Sequence, residues 1–258
     1  AIFTLIKKFI MIILSILFFI TAILYSSVGF GGGSTYLALL LIWNIPYYIF
    51  PIIALLCNII VVSGNSFNYV RAGNHNFKLL LPFIIGSVPF AFFGGTLKIE
   101  KDIFEILLFF VLSIAGLLLL INNKSYEVDN FITKKINPIT SFFIGSLLGL
   151  ISGIVGIGGG IFLSPILFLL KAEKPKIIVT TASLFILINS ISGILGQLTK
   201  ENILIELSNY FILFICVFFG GLLGNFLNLK IFTSRMLAIV TSLLVIFISI
   251  RIGVKIFL

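Results

Sequence analysis

The sequence predicts an all-α polytopic membrane protein of about eight transmembrane helices in two homologous halves, with half-helices after paired glycine-rich breaks. Three observations predict it. The 258 residues are 60% hydrophobic and 10% charged, whereas soluble domains run at about 45 to 50% apolar and about 25% charged residues. A chain so poor in charge cannot cover a water-facing surface. Its apolar residues gather in long runs, each near the roughly 20 residues that one crossing needs. A glycine motif also occurs twice, once in each half of the chain.

The expected spans are 9–29, 50–70, 79–98, 103–121, 138–157, 176–197, 206–228 and 234–254. Lys7 and Lys8 before the first run imitate a secretory signal. No clear small-x-small cleavage site follows, and the run leads into the recurring motif, so it reads as the first membrane helix. Polar or charged breaks at 71–78, 98–102, 122–137, 171–176, 200–201 and 230–235 separate most of the spans, and Pro138 and Pro175 stand where a helix would begin. The stretch 122–137 is the longest of these and the natural midpoint. It divides the chain into a first transmembrane repeat (1–122), a polar connecting loop (123–137) and a second transmembrane repeat (138–258). Two further apolar runs, 34–43 and 161–170, would each be about 15 Å long as helices, too short to span. They read as half-helices.

The net charge of +9 does not point to nucleic acid, because the 17 Lys and Arg are scattered one to three at a time between apolar runs. They read as helix-end anchors and topology signals. If every span crosses fully, the N-terminal side carries ten of them (Lys7, Lys8, Arg71, Lys78, Lys124, Lys134, Lys135, Lys200, Arg251 and Lys255) and the other side seven, a slight preference for a cytoplasmic N-terminus. Half-helices that turn back as re-entrant hairpins would change both the sides and the relation of the halves. Cys57 and Cys216 lie in apolar runs and read as small core hydrophobes. His75 reads as a loop residue, and Glu105 as a carboxylate near a helix start. There is no metal-spaced His/Cys set, no phosphate-binding loop and no nucleophile with a base, so the sequence predicts no catalytic residue, metal or cofactor.

Val28-Gly29-Phe30-Gly31-Gly32-Gly33 aligns with Val155-Gly156-Ile157-Gly158-Gly159-Gly160 at an offset of 127 (158 − 31). Ser63-Gly64 against Ser192-Gly193, and Pro46 against Pro175, continue the match at 129. Transporters built from repeats bind substrate near the midplane where interrupted helices meet, which makes Gly31, Gly32, Gly33, Ser34, Gly158, Gly159 and Gly160 the candidate site. Close packing of helices is the competing reading of such glycines. Half-helix N-termini facing one cavity favour an anion. With no Arg or Lys in mid-span, neutral donors must complete the site: Ser26, Ser27, Ser34, Asn58, Asn65, Thr180, Thr181, Ser183, Asn189 and Gln197. Hydroxyls can bond back to their own helix, whereas buried amides need several partners. Asn58, Asn65 and Asn189, with Thr181 and Ser183, are therefore added to the candidates.

At these residues the sequence resembles the TauE/SafE family, the sulfite exporter or sulfonate permease family, over nearly the whole chain. The resemblance is carried by Gly31-Gly32-Gly33, by Gly156-x-Gly158-Gly159-Gly160 with Pro165 five residues on, and by Tyr69-x-Arg71-x-Gly73. Gly86, Gly94 and Gly95, then Gly220, Gly221 and Gly224, continue a similar pattern. It implies transport of sulfur-containing anions such as sulfite, thiosulfate or organosulfonates across the cell (plasma or inner) membrane. The expected partners are that anion and membrane lipid, with no nucleic acid; a homodimer is compatible with the sequence. Pro165 has Ala38 as its counterpart, so the two halves of the site are not expected to be equivalent. Alternating access is the expected mechanism, with an anion channel or a coupled importer as the rivals. Export is expected over import because no Asp, Glu or His lies near the middle of a span to relay a proton.

Overall fold

Apolar runs bounded by glycine, proline and charge fold as helices, and no strand occurs among the described residues. The computed structural model describes residues 2–43, 45–121, 133–200, 203–227 and 234–257. The first half comprises α1 (Ile2–Val28), α2 (Gly33–Ile42), α3 (Phe50–Arg71), α4 (Phe77–Thr96) and α5 (Lys101–Ile121), with a 3₁₀ turn at Tyr47–Ile49 before α3. The second half comprises α6 (Pro138–Val155), α7 (Gly160–Leu169), α8 (Pro175–Gln197), the short α9 (Ile203–Leu207), α10 (Phe211–Leu227) and α11 (Ser234–Phe257). Among the described residues, seven helical segments are long and apolar enough to cross a membrane: Phe9–Ser27, Tyr47–Arg71, Phe77–Thr96, Lys101–Ile121, Pro138–Val155, Pro175–Gln197 and Ile205–Leu227. Most of the expected connecting loop 123–137 lies outside the described residues.

Helix starts follow from local chemistry. Asn76 and Asn137 cap α4 and α6, their side chains accepting from the backbone N–H groups of Leu79 and Ile139 at 3.2 and 2.9 Å. Pro138 and Pro175 open α6 and α8, where the missing proline N–H removes nothing.

Small residues then fix the packing. Gly145, Gly149 and Gly153 of α6 lie against the backbone of Phe83, Ser87 and Ala91 of α4, so these helices run parallel in close contact. Gly220 and Gly224 of α10 lie in the same way against Phe19 and Ile23 of α1. Bare backbone on one partner permits such approach in an apolar medium, where van der Waals packing is the main source of association. The Ser192 hydroxyl donates to the Val88 carbonyl at 2.6 Å, setting α8 parallel to α4. The antiparallel pair α5 and α11 meets at Gly116 against Ile246 and at Gly253 against Phe109.

These contacts order the chain between two faces. The first face holds the start of α1, the 3₁₀ turn, the α4–α5 connection and the end of α8. The second holds the α3–α4 and α7–α8 connections, joined where Asn76 Nδ2 donates to Glu173 Oε1 at 3.2 Å, and the segment before α6, whose Lys134 N–H donates to the Lys171 carbonyl at 2.9 Å. The exterior is apolar: Phe92, Phe93, Phe110, Ile114, Phe218, Phe219 and Phe226 are all exposed. The interior holds Asn58, Asn189, Ser87, Ser152, Thr180 and Gln197 at no exposure at all. Apolar outside with polar groups enclosed is the arrangement expected when hydrocarbon is the solvent. Cys57 is buried in this core and Cys216 half-buried, both as free thiols.

Candidate functional site

Both glycine runs interrupt the backbone at the same place in the molecule. After α1 the chain passes Gly29, packed against the Tyr69 ring near the second-face end of α3, and reaches Gly31 and Gly33 beside Asn58 in the middle of α3. α2 then carries it to the first face. After α6 the chain passes Gly156, against Pro51 at the first-face end of α3, and reaches Gly158 beside Asn58. α7 then returns it to the second face. The two interruptions therefore approach Asn58 from opposite faces.

Contact between them is direct. A Cβ built on Gly33 would lie 2.6 Å from the Ile157 carbonyl oxygen and 2.8 Å from Asn58 Nδ2, so only glycine fits. Gly158 has φ of +83°, a left-handed conformation that side chains rarely adopt, and a Cβ there would lie 2.8 Å from Asn58 Nδ2. Asn58 fastens the crossing by donating from Nδ2 to the Ile157 carbonyl at 3.1 Å. That bond fixes which way the amide points, because a carbonyl can only accept. Oδ1 is left facing Gly31, buried and without a partner among the described residues. Ile186 of α8 supplies an apolar wall that touches Gly31, Gly158 and Gly160.

Of the other sequence candidates, some join this centre and some do not. Gly32 caps α2 but turns toward Tyr36 and Thr21, and Gly159 caps α7 but faces Phe185. Each N-cap is a glycine, which has no side chain to accept from the first N–H groups of its helix. Ser34 lies in the first turn of α2 with its hydroxyl buried and unpartnered among the described residues. Asn189 donates to the Phe185 carbonyl of its own helix at 2.8 Å, leaving Oδ1 buried and unpartnered in the same sense. Thr181 bonds back to the Ile177 carbonyl at 2.7 Å, and Thr180 to the Lys176 carbonyl at 2.9 Å. Ser183 pairs with Ser66 at 3.0 Å, joining α8 to α3. Asn65 reaches Ser26 at 3.5 Å and the Val61 carbonyl at 3.4 Å, while Ser26 donates to the Gly221 carbonyl at 2.7 Å. Gln197 donates to the Gly153 carbonyl at 2.8 Å.

Sequence reasoning missed Ser190. Its hydroxyl is buried, has no partner among the described residues, and lies 3.2 Å from the Cβ position of Gly158. One serine among many in an apolar helix carries no local signal. Among the described residues no group of three His, Cys, Asp or Glu could hold a metal.

Chemically, the centre offers backbone N–H groups at two helix N-termini and, among the described residues, a few unpaired side-chain oxygens and no cation. Such a set can hold a small anion through dipoles and hydrogen bonds. The unpaired Asn58 oxygen would in addition accept from a ligand that bears a proton.

A family model described as Sulfite exporter TauE/SafE matches residues 14–252. Among curated proteins, the probable membrane transporter protein MJ0441 of Methanocaldococcus jannaschii is 29% identical over 249 residues, covering 90% of this chain and 91% of that protein. The probable membrane transporter protein y4hK of Sinorhizobium fredii is 23% identical over 232 residues, covering 90% and 93%. The probable membrane transporter protein YunE of Bacillus subtilis is 23% identical over 262 residues, covering 91% and 94%. No solved structure gives a significant match.

Proposed function

Because the chain belongs to the sulfite exporter TauE/SafE family of membrane transporters, we propose that it moves a small sulfur-containing oxyanion, such as sulfite, thiosulfate or an organosulfonate, across the cell membrane. The observation that carries this reading is the meeting of the two glycine breaks at Asn58, where Gly33 lies against the Ile157 carbonyl. Two helix N-termini brought there from opposite faces give an anion donors without a lysine or arginine that would hold it too tightly to release.

In this reading the chain has eight crossings, α11 being the eighth, and two half-helices, α2 and α7. The halves are inverted repeats. Exchanging α1 with α6 and α4 with α10 turns the α4–α6 seam into the α1–α10 seam, and both seams are present. Inverted repeats suit alternating access, since rocking one hairpin against the other opens the same site first to one face and then to the other. By chain position, the N-terminal face then carries Lys7, Lys8, Lys98, Lys101, Lys200, Arg251 and Lys255, seven of the 17 basic residues, and the second face the remaining ten. The positive-inside rule puts the second face in the cytoplasm. The slight sequence preference for a cytoplasmic N-terminus is thereby reversed, because the turn back at α2 moves the segments between α2 and α7 to the opposite face, and the turn back at α7 restores those that follow.

The test is uptake by proteoliposomes of sulfite, thiosulfate, sulfate and methanesulfonate, each competed with unrelated anions. Saturable uptake of a sulfur oxyanion supports the reading. Non-saturating flux of any small anion would indicate a channel, and no flux would remove the reading.

A further inference from the structure

We infer that a second oxyanion site, separate from the central one, lies in a cavity on the first face between Lys98 and Lys200. The cavity measures about 410 Å³, and its polar wall is formed by Tyr47, Tyr48, Lys98, Lys200 and Glu206. Lys200 reaches it from the end of α8, Lys98 from the α4–α5 connection and Glu206 from α9. Pro51 and Ile154 also line it. Pro51 is the residue that packs against Gly156, so it lies between the cavity and the second glycine break.

Its charge suits an anion. Among the described residues neither Lys98 nor Lys200 is in an ion pair; the only one present is Lys101 with Glu105 at 3.9 Å. Lys200 Nζ donates to the neutral Gln197 Oε1 at 2.8 Å. The one carboxylate in the wall, Glu206, accepts from the Tyr48 hydroxyl. Two like charges thus share one partly enclosed space with a single carboxylate, and an oxyanion between them relieves their repulsion. Burial, and after it the charge of Lys98, lower the Lys200 pKa to about 8. The titratable groups sharing the cavity with Lys200 are Lys98, Glu206, Tyr47 and Tyr48; Glu201 lies outside the described residues. Lys200 is therefore mostly charged at pH 7 and loses its charge as pH rises through about 8.

The ligand class, a small sulfur oxyanion, rests on the proposed transport function, but the same chemistry would also fit a lipid phosphate at the membrane face. The experiment is acylation of lysines by an amine-reactive ester, mapped by mass spectrometry, on the protein in phosphatidylcholine nanodiscs with sulfate or methanesulfonate against chloride at matched ionic strength. The expected result is several-fold slower labelling of Lys200 with either sulfur oxyanion, an upward shift of its labelling midpoint from about 8, and no change at Lys134. Lys98→Gln, an exposed position, should raise the sulfate concentration for half-protection several-fold.

Equal labelling in sulfate and chloride overturns the proposal. So does protection that appears only when phosphatidylglycerol replaces part of the phosphatidylcholine, which would give the cavity to a lipid headgroup. Protection of Lys200 in a protein that moves no sulfur anion would leave this site standing and remove the transport reading. Normal flux without protection would remove this site alone.

Discussion

Asn58 of α3 donates from Nδ2 to the Ile157 carbonyl, 3.1 Å away and in the other half of the chain. It is the hydrogen bond that ties one glycine break to the helix beside the other. Asn58→Ala would leave that carbonyl and its surroundings unpaired, a penalty of about 1 to 3 kcal/mol. We predict a rise in the half-saturating substrate concentration of about tenfold, the equivalent of about 1.4 kcal/mol. Asn65→Ala removes only the long contacts to Ser26 and Val61 and should lower thermal stability with little change in affinity. Substrate titration and thermal unfolding of both variants check this, and the reverse pattern would move the site toward Asn65.

Gly33 and Gly221 give an internal comparison. A Cβ on Gly33 meets the Ile157 backbone at 2.6 Å, whereas one on Gly221 meets nothing closer than 3.8 Å. Gly33→Ala should therefore cut transport severely, and Gly33→Leu and Gly159→Leu should abolish it in a protein that still inserts. Gly221→Ala should transport like the parent. Flux at matched incorporation, with size-exclusion profiles to verify folding, measures this.

The inverted arrangement proposed for the two halves predicts which loops face outward. In a Cys57→Ala/Cys216→Ala background, an impermeant maleimide applied to intact cells should label Lys98→Cys, and should label Asn74→Cys only after permeabilisation. Labelling of Asn74→Cys in intact cells, with Lys98→Cys protected, would reverse the orientation.

Much of this was legible in the sequence, and the boundary between legible and not is physical. Hydropathy marks the helices because hydrocarbon demands apolar surfaces, and the runs Gly31-Gly32-Gly33 and Gly158-Gly159-Gly160 mark the breaks because nothing else in an apolar span leaves backbone so bare. What hydropathy cannot show is direction, since the run that becomes α7 looks the same whether it completes a crossing or turns back. Side-chain aim was equally hidden. Gly32 and Gly159 face Tyr36 and Phe185, and Gly31, Gly33 and Gly158 face Asn58, a division set by tertiary packing alone. Lys98 and Lys200 come together only through the parallel run of α4 and α8, and no local pattern announces a pair 102 residues apart (200 − 98).

Export predicts that the membrane potential drives flux. The field contributes about 2.3 kcal/mol per charge per 100 mV, so a dianion leaving a cell held at about 150 mV gains about 7 kcal/mol. A tenfold outside excess opposes this by only about 1.4 kcal/mol. Sulfite efflux from liposomes under a potassium–valinomycin potential, with no pH gradient, should follow the potential. Flux that ignores it and follows a proton or sodium gradient would indicate a coupled importer.

If a sulfur oxyanion passes through the point where the two breaks meet, sulfite flux through the parent protein and through Gly33→Leu, side by side in proteoliposomes, must differ. The expected result is saturable sulfite flux in the parent and none above empty liposomes in Gly33→Leu, with both proteins inserted and folded. Equal sulfite flux in the two proteins would contradict it, because the anion would then be crossing by a route that avoids Asn58 and the glycine breaks.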